Sequence, residues 1–186
     1  MGSMKIQATP LEGLVLIETQ PVMDQRGRFA RLFCDDELSA IRPNLHWPQI
    51  NLSETLHCGT TRGMHFQYPP ATEAKLIRCL RGRVFDVAVD LRAESPTFLR
   101  WHGVELNESN DMQFFIPEGF AHGFQALTDN VQLLYMHTTP WQHAHEGGLR
   151  PDDPAIAITW PLPLTQVSEK DRSAPLLDDK FPGISL

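Results

Sequence analysis

Residues 75–91 read KLIRCLRGRVFDVAVDL, and this stretch decides the fold class. Two runs rich in apolar and β-branched residues flank an Arg-Gly pair, which is a turn signal. In the second run, FDVAVD (85–90), a phenylalanine and two valines alternate with two aspartates and an alanine. Alternation with a period of two is typical of a strand that places one face in a core. The stretch therefore predicts two strands joined by a turn.

Similar short runs recur along the chain and predict further strands. They are GLVLIET (13–19), RWHGVEL (100–106), MQFFIP (112–117), GFQAL (123–127) and VQLLYMHTT (131–139). Asn, Asp and Pro residues separate them, which indicates a β-sandwich or barrel.

Helix is scarce in this sequence. Only DDELSAI (35–41) predicts a turn or two of helix, with Asp35 or Asp36 as its N-cap. Many of the 15 prolines follow residue 139. We therefore expect an irregular C-terminal segment laid over the barrel.

The composition favours one compact domain. The chain has 186 residues, 41% of them hydrophobic, which suffices for one sizeable core. Neither a long apolar run nor a signal peptide is indicated, and the first three residues, MGS, resemble a cloning scar before a domain over 4–186. A net charge of -7 argues against nonspecific nucleic-acid binding. Three widely spaced cysteines indicate a reducing cytoplasm.

The chemistry centres on His65, in the stretch RGMHFQYPPATEAK (62–75). This histidine could be a metal ligand, a buried structural residue or a base in proton transfer. The pattern IPEGFAHGF (116–124) places His122 just past a tight turn, as in small antiparallel barrels that bind a metal through several histidines and a carboxylate. The earlier strand should then supply a His-x-His pair and a glutamate, but it has one histidine and Gln67. One or two histidines are too few ligands, so no metal site is expected.

Five separated motifs carry a resemblance to a known family. They are residues 62–98, IPEGFAHGF, the LLY of residues 133–135, RPDDPAIAITWP (150–161) and SEKD (168–171). Together, in this order, they resemble the dTDP-4-dehydrorhamnose 3,5-epimerase family, metal-free cupins of nucleotide-sugar metabolism, and the likeness runs from residue 4 to residue 177. The resemblance implies an all-β fold, an antiparallel jelly-roll or cupin barrel with short helices and an irregular C-terminal segment.

The resemblance also implies a reaction, the inversion of C3 and C5 of dTDP-4-keto-6-deoxyglucose without a cofactor. The C4 ketone acidifies the protons on C3 and C5, so the reaction needs a base, a donor for the enolate oxygen and an acid on the opposite face. An imidazole titrates near neutral pH, and the resemblance makes His65 the base and Asp171 its partner. It makes Tyr135 the acid and places Lys75 and Arg62 near the enolate and the diphosphate.

Without the resemblance, several of these residues would be interpreted differently. Tyr135 ends a strand-like run and would be expected to pack in an interface. Asp171 in EKDR would be expected to be a solvated charge. For His65, a buried structural role and a functional role would stay equally open, and the same holds for His122.

A nucleotide site is implied by further matches to the family. In DQRGRF, Arg26 matches an arginine suited to a bidentate grip on a phosphate, and Phe29 lies in the same segment. Gln49 and Asn51 of PQINLS match amides near the nucleotide, and His122 is expected beside the substrate. These segments reach across a dimer in the family. We therefore expect a homodimer that binds a dTDP-linked sugar and has no nucleic-acid or membrane partner.

The chain departs from the family pattern around these binding residues and leaves most of the catalytic set in place. The departures are Arg31, Ile50, Leu52, Met136, Pro140, Gly147 and Pro151. Two alternatives therefore stay open. One is an epimerase acting at a single centre or on another nucleotide-linked ketosugar, and the other is a noncatalytic sugar-nucleotide-binding or metal-dependent cupin.

Overall fold

The computed structural model describes residues 3–178 and 180–186, so two residues of the expected cloning scar lie outside the described part. The strands in that part are β1 (Met4–Ala8), β2 (Val15–Thr19), β3 (Val22–Asp24), β4 (Gly27–Phe29), β5 (Gln49–Thr55), β6 (Thr60–Gln67), β7 (Lys75–Arg81), β8 (Arg83–Asp90), β9 (Trp101–Asn107), β10 (Met112–Ile116), β11 (Phe120–Ala126), β12 (Val131–His137), β13 (Glu146–Gly148) and β14 (Gln166–Val167). The helices are α1 (Asp35–Leu38) and α2 (Glu169–Arg172), with a 3₁₀ turn at His143–His145.

The strands form two sheets packed face to face. The first has the order β1-β2-β10-β7-β12-β5, and the second has the order β13-β6-β11-β8-β9. Neighbours pair antiparallel, except that β14 joins β6 in parallel. The strands β3 and β4 make a separate hairpin. The expected antiparallel jelly roll is confirmed.

The stretch 75–91 crosses from one sheet to the other. Its two halves are β7 in the first sheet and β8 in the second, and Gly82 joins them in the left-handed region, with a φ of 75°. A Cβ at Gly82 would lie 2.6 Å from the Thr128 hydroxyl oxygen, so the turn requires a glycine. Ile77 and Val84 then pack in the core between the sheets.

The strand β8 is buried on both faces, which corrects the expectation of one face in the core. Ala88 faces the core between the sheets, and Asp86 on the same side of the strand is fully buried. Val87 and Val89 pack on the other side against Ile156 and other apolar residues of the C-terminal segment. Successive residues of β8 do alternate between two faces, but the C-terminal segment covers the face that carries Val87 and Val89 and removes it from water as well.

The helices are short, as expected, but the capping of α1 differs from the prediction. Its N-cap is Cys34 and no side chain caps it, because Asp35 and Asp36 already lie inside the first turn. In α2 the Ser168 hydroxyl accepts a hydrogen bond from the Asp171 backbone N–H. Within the described ranges, neither helix is long and apolar enough to cross a membrane.

Candidate active site

A cavity of about 320 Å³ opens between the two sheets. One wall comes from β5, β7 and β12 of the first sheet, and the other comes from β6 and β11 of the second. The lining residues are Gln49, Asn51, Ser53, Arg62, His65, Phe66, Gln67, Glu73, Lys75, His122, Phe124, Tyr135, His137, Trp141 and Glu146. Eight of the expected site residues therefore meet at one place or, for Asp171, directly behind it.

His65 and Asp171 form a pair at the second sheet. The Asp171 Oδ1 atom lies 2.7 Å from His65 Nε2, and Oδ2 accepts a hydrogen bond from the Gly63 backbone N–H at 3.2 Å. The parallel pairing of Val167 with Thr61 carries α2 to this position. Burial raises the pKa of Asp171, but the hydrogen bond and the electrostatic interaction with His65 outweigh the effect of burial. The pKa of Asp171 is therefore lowered. Asp171 is thus a buried carboxylate and not the solvated charge that its local sequence suggests.

A bulge in β6 directs Arg62 and His65 into the same cavity. Residues three apart on a regular strand point to opposite faces. At Gly63 the backbone has a φ of 113°, and the pairing register with β11 shifts between His122 and Phe124. A Cβ at Gly63 would lie 2.6 Å from the His122 carbonyl oxygen. The extra residue of the bulge therefore depends on a glycine at this position.

The facing wall carries Lys75 and Tyr135. In the ladder between β7 and β12, His137 lies opposite Lys75, and Tyr135 lies opposite Ile77. The Lys75 ammonium contacts Glu73 Oε1 at 3.2 Å and donates to the His65 carbonyl oxygen at 3.3 Å. This buried cation is therefore held beside the residue expected to act as the base.

Tyr135 is kept in its phenol form by its surroundings. Burial, and next the Asp86 carboxylate, raise the pKa of Tyr135 well above its ordinary value, while Arg62 opposes the shift. The phenol ring packs edge-on against the His122 ring, with 5.7 Å between the centroids. A group that holds its proton at neutral pH is suited to donate one to a carbanion.

His122 is buried and paired with Asp86. Its Nε2 atom lies 2.8 Å from Asp86 Oδ1, and the second oxygen of Asp86 has no hydrogen-bond partner among the described residues. Burial lowers the pKa of His122, and the partly opposing Asp86 charge does not reverse this. His122 is therefore a neutral imidazole that shapes the cavity floor.

Comparison with known proteins identifies the family of the chain. The family model for dTDP-4-dehydrorhamnose 3,5-epimerase matches residues 8–179. The chain belongs to this family. It is accordingly an isomerase, and the resemblance seen in its motifs is confirmed.

Individual family members align over nearly the whole chain. The dTDP-4-dehydrorhamnose 3,5-epimerase of Sinorhizobium fredii is 40% identical, covering 95% of this chain and 91% of that protein. The dTDP-4-dehydrorhamnose 3-epimerase of Streptomyces niveus is 37% identical, covering 94% and 84%. The crystal structure of the Legionella pneumophila dTDP-6-deoxy-D-glucose-3,5-epimerase in complex with dTDP-4-keto-L-rhamnose superposes with a TM-score of 0.91 at 37% identity, covering 98% of each chain.

Two residues expected at the nucleotide lie away from the epimerase cavity. Arg26 is in the turn between β3 and β4, where its Nε donates to Asp24 Oδ2 at 3.1 Å, and Phe29 is exposed at the end of β4. Gln49 and Asn51, in contrast, line the cavity from β5. One copy of the chain therefore brings together only part of the expected nucleotide site.

Packing explains Gly147 among the departures from the family pattern, and the contacts or exposure of the other positions do not account for the change. A Cβ at Gly147 would lie 2.5 Å from the Phe66 ring, so the packing of Phe66 against the chain requires a glycine here. The Pro151 carbonyl oxygen accepts from the Trp160 indole, and Met136 is buried. Arg31 is ion-paired with Glu37. Ile50 and Leu52 are exposed on the outer face of β5, and the Pro140 carbonyl oxygen accepts from Gln67.

Sequence reasoning missed several residues of the epimerase cavity. Glu73 and His137 form a further carboxylate–imidazole contact there, and Trp141 and Glu146 lie at its rim. A signal existed for two of them, because Glu73 lies two residues before Lys75 and His137 two residues after Tyr135. Residues two apart on an extended chain share a face.

No group of three His, Cys, Asp or Glu side chains that could hold a metal is found within the described residues.

Proposed function

We propose that this epimerase inverts C3 and C5 of a dTDP-linked 4-keto-6-deoxyhexose, of the dTDP-4-dehydro-6-deoxyglucose type, by proton removal and return. The observation that carries the proposal is the placement of His65 and Tyr135 on opposite walls of one cavity. A base and an acid on opposite faces of a sugar ring are what inversion at an acidic carbon requires.

The reaction can be followed through the groups in the cavity. His65 takes the proton from C3 or C5, and the electron pair of that C–H bond moves into the ketone and leaves an enolate oxygen at C4. The Lys75 ammonium stabilises this oxygen, an effect that is typically among the largest in such catalysis. Tyr135 delivers a proton to the opposite face, the electron pair returns to carbon, and solvent restores both groups. No electrons leave the substrate, so the reaction uses no redox cofactor.

Asp171 supports the base in this scheme. The imidazolium that forms on His65 gains a charge-assisted hydrogen bond to the buried carboxylate at 2.7 Å. The same hydrogen bond fixes which ring nitrogen faces the carboxylate, so the other nitrogen is directed to the substrate.

The nucleotide portion of the substrate is proposed to lie along Arg62, Gln49 and Asn51, next to His122. We infer that Arg26 and Phe29 complete this site from a second copy of the chain in a homodimer. Two observations support a second copy. The apolar Phe29 is 66% exposed on its hairpin, and the edge strand β5 exposes Ile50 and Leu52 on its outer face.

The domain and the compartment are also part of the proposal. Residues 4–186 are proposed to form one domain, since strands from both halves of the chain alternate within each sheet. The three cysteines are all free thiols, which supports a reducing cytoplasm as the working environment.

The decisive experiment is solvent exchange in deuterated water with dTDP-4-keto-6-deoxyglucose, followed by NMR. Deuterium at both C3 and C5, with inversion at both carbons, is the expected result. Label at one carbon only would identify a single-centre epimerase. Absence of label with retained binding would identify a noncatalytic sugar-nucleotide protein. A chelator added to a parallel sample should leave the rate unchanged.

A further inference from the structure

The cavity holds a carboxylate that the proposed reaction does not use. Glu73 Oε2 lies 2.8 Å from His137 Nδ1, and Oε1 lies 3.2 Å from the Lys75 ammonium nitrogen. The exposed fraction of the side chain is 8% for Glu73, 11% for His137 and 7% for Lys75. One carboxylate thus bridges a cation and an imidazole in a nearly dry site.

The ladder between β7 and β12 sets this arrangement. His137 lies directly opposite Lys75, while Glu73 precedes Lys75 by two residues on the connection into β7. On β12, His137 follows Tyr135 by two residues, and their rings stack with centroids 6.1 Å apart and planes 10° from parallel. The Glu73 carboxylate therefore contacts the proposed enolate-stabilising cation, and through His137 it supports the ring of the proposed acid.

The hydrogen-bond partners indicate which ring nitrogen of His137 faces Glu73 as a donor. Its Nε2 atom lies 3.4 Å from the Asn51 side-chain nitrogen, which is a donor, so Nε2 acts as the acceptor. Nδ1 then carries the hydrogen and donates it to Glu73. Burial raises the pKa of Glu73, but the Lys75 charge and the His137 hydrogen bond more than offset this, and the pKa is lowered. One negative charge on Glu73 balances one positive charge on Lys75.

We propose that Glu73 is a positioning residue that fixes Lys75 and, through His137, the ring of Tyr135. The kinetic effects expected from this role rest on the proposed function. A buried ammonium without an anion readily gives up its proton, and a neutral amine stabilises an enolate oxygen poorly. Within the described residues, Glu73 is the carboxylate that pairs with the Lys75 ammonium. The other titratable groups that line the cavity are Arg62, His65, His122, Tyr135, His137 and Glu146, and Glu146 is ion-paired with Lys170.

The kinetic test compares Glu73→Gln, Glu73→Asp and the matched control Glu105→Gln. Glu73→Gln should lower kcat about 10- to 100-fold, the range for loss of a charge-assisted hydrogen bond, with KM little changed. As the pH is raised, the activity of this variant should be lost at a lower pH than that of the parent, because the Lys75 ammonium has lost its counter-charge. Glu73→Asp should lower kcat but keep the parent's pH profile, since it retains the charge with a shorter reach. Glu105 on β9 is in an exposed ion pair with Arg83 on β8, and Glu105→Gln should change neither kcat nor the pH profile.

A second arm needs no substrate. In ¹⁵N NMR of the free enzyme, His137 should show the tautomer with hydrogen on Nδ1, assigned by its disappearance in His137→Phe. Glu73→Gln should shift the hydrogen to Nε2 or mix the two tautomers. If the parent lacks activity on the dTDP-ketosugar, the proposed function fails while this arm still decides the contact. If the parent is active and Glu73→Gln matches it in kcat, pH profile and tautomer, the positioning role is wrong and the function stands.

Discussion

Two carboxylate–imidazole pairs lie on adjacent strands of one sheet and differ in burial more than in geometry. His65 on β6 is opposite His122 on β11 in the ladder. The distance from Nε2 to the carboxylate is 2.7 Å for His65 and 2.8 Å for His122. Yet the His65 side chain is 39% exposed, and the His122 side chain is 5% exposed.

Exposure, and not the hydrogen bond, therefore distinguishes the proposed base His65 from the buried imidazole of His122. Taking a charge out of water opposes ionisation, and burial lowers the pKa of His122 despite its carboxylate. His65 has the same kind of partner and keeps one side open to the cavity, where a substrate C–H bond can reach it. A substrate can therefore reach the imidazole at His65, while the imidazole at His122 is enclosed.

The largest expected effect tests this distinction directly. His65→Asn should reduce deuterium exchange at C3 and C5 by about 10²–10⁴-fold, the typical contribution of a positioned general base. His122→Asn should retain much more exchange, because Asn can still donate to Asp86. The measurement is NMR of the ketosugar in deuterated water. Equal losses in the two variants would show that exposure does not distinguish the roles of His65 and His122.

A smaller loss, with a different pattern, is expected at the opposite wall. Tyr135→Phe removes one hydroxyl, so inversion should fall about 100-fold while His65 still exchanges protons on its own face. Exchange that outpaces inversion is the signature, read from deuterium content and product configuration in one sample. Inversion at the parent rate would assign Tyr135 to packing against the substrate instead.

The carboxylate behind the base should matter less than the base itself. Asp171→Asn removes a charge-assisted hydrogen bond that is worth about 1.5–3 kcal/mol, which corresponds to a decrease in kcat of about 10- to 100-fold. Far-ultraviolet circular dichroism would show whether α2 stays folded. A variant with the parent's kcat would mean that exposure alone makes His65 a base, which sharpens the comparison.

The smallest effect concerns stability at His122. Its folded pKa is lowered below the ordinary value of 6.5, so the unfolded chain binds a proton more readily. The stability therefore falls as the pH drops below 6.5, by at most about 1.4 kcal/mol per pH unit for this group. The free energy of unfolding, measured with urea across this pH range, should depend less steeply on pH in His122→Asn than in the parent. The contribution of Asp171, whose pKa is lowered, is instead lost only as the pH falls below 3.8.

The strands of the fold could be predicted from local patterns, but the surroundings of those strands could not. Alternation and turn signals correctly predicted β7, β8 and β12. The burial of both faces of β8 depends on Ile156 and Ile184, which arrive from distant parts of the chain. A pattern read over eight residues carries no information about what will later cover them.

The same limit applies to the site. The motifs predicted that His65, Lys75 and Tyr135 belong together, and they line one cavity. Asp171 was predicted only through the resemblance, because its own neighbours in sequence are charged and polar. Glu73 and His137 share a spacing of two with catalytic candidates, but only the folded structure shows that they are in contact, at 2.8 Å. The roles of all these residues stay predictions.

The partnership between β6 and α2 also orders events during synthesis. Asp171 is translated 106 residues after His65, so the ribosome has made both walls of the cavity before the base receives its carboxylate. A nascent chain that stops before α2 contains the residues that line the cavity but lacks the carboxylate that pairs with His65. Under the proposed mechanism, full activity requires translation through α2.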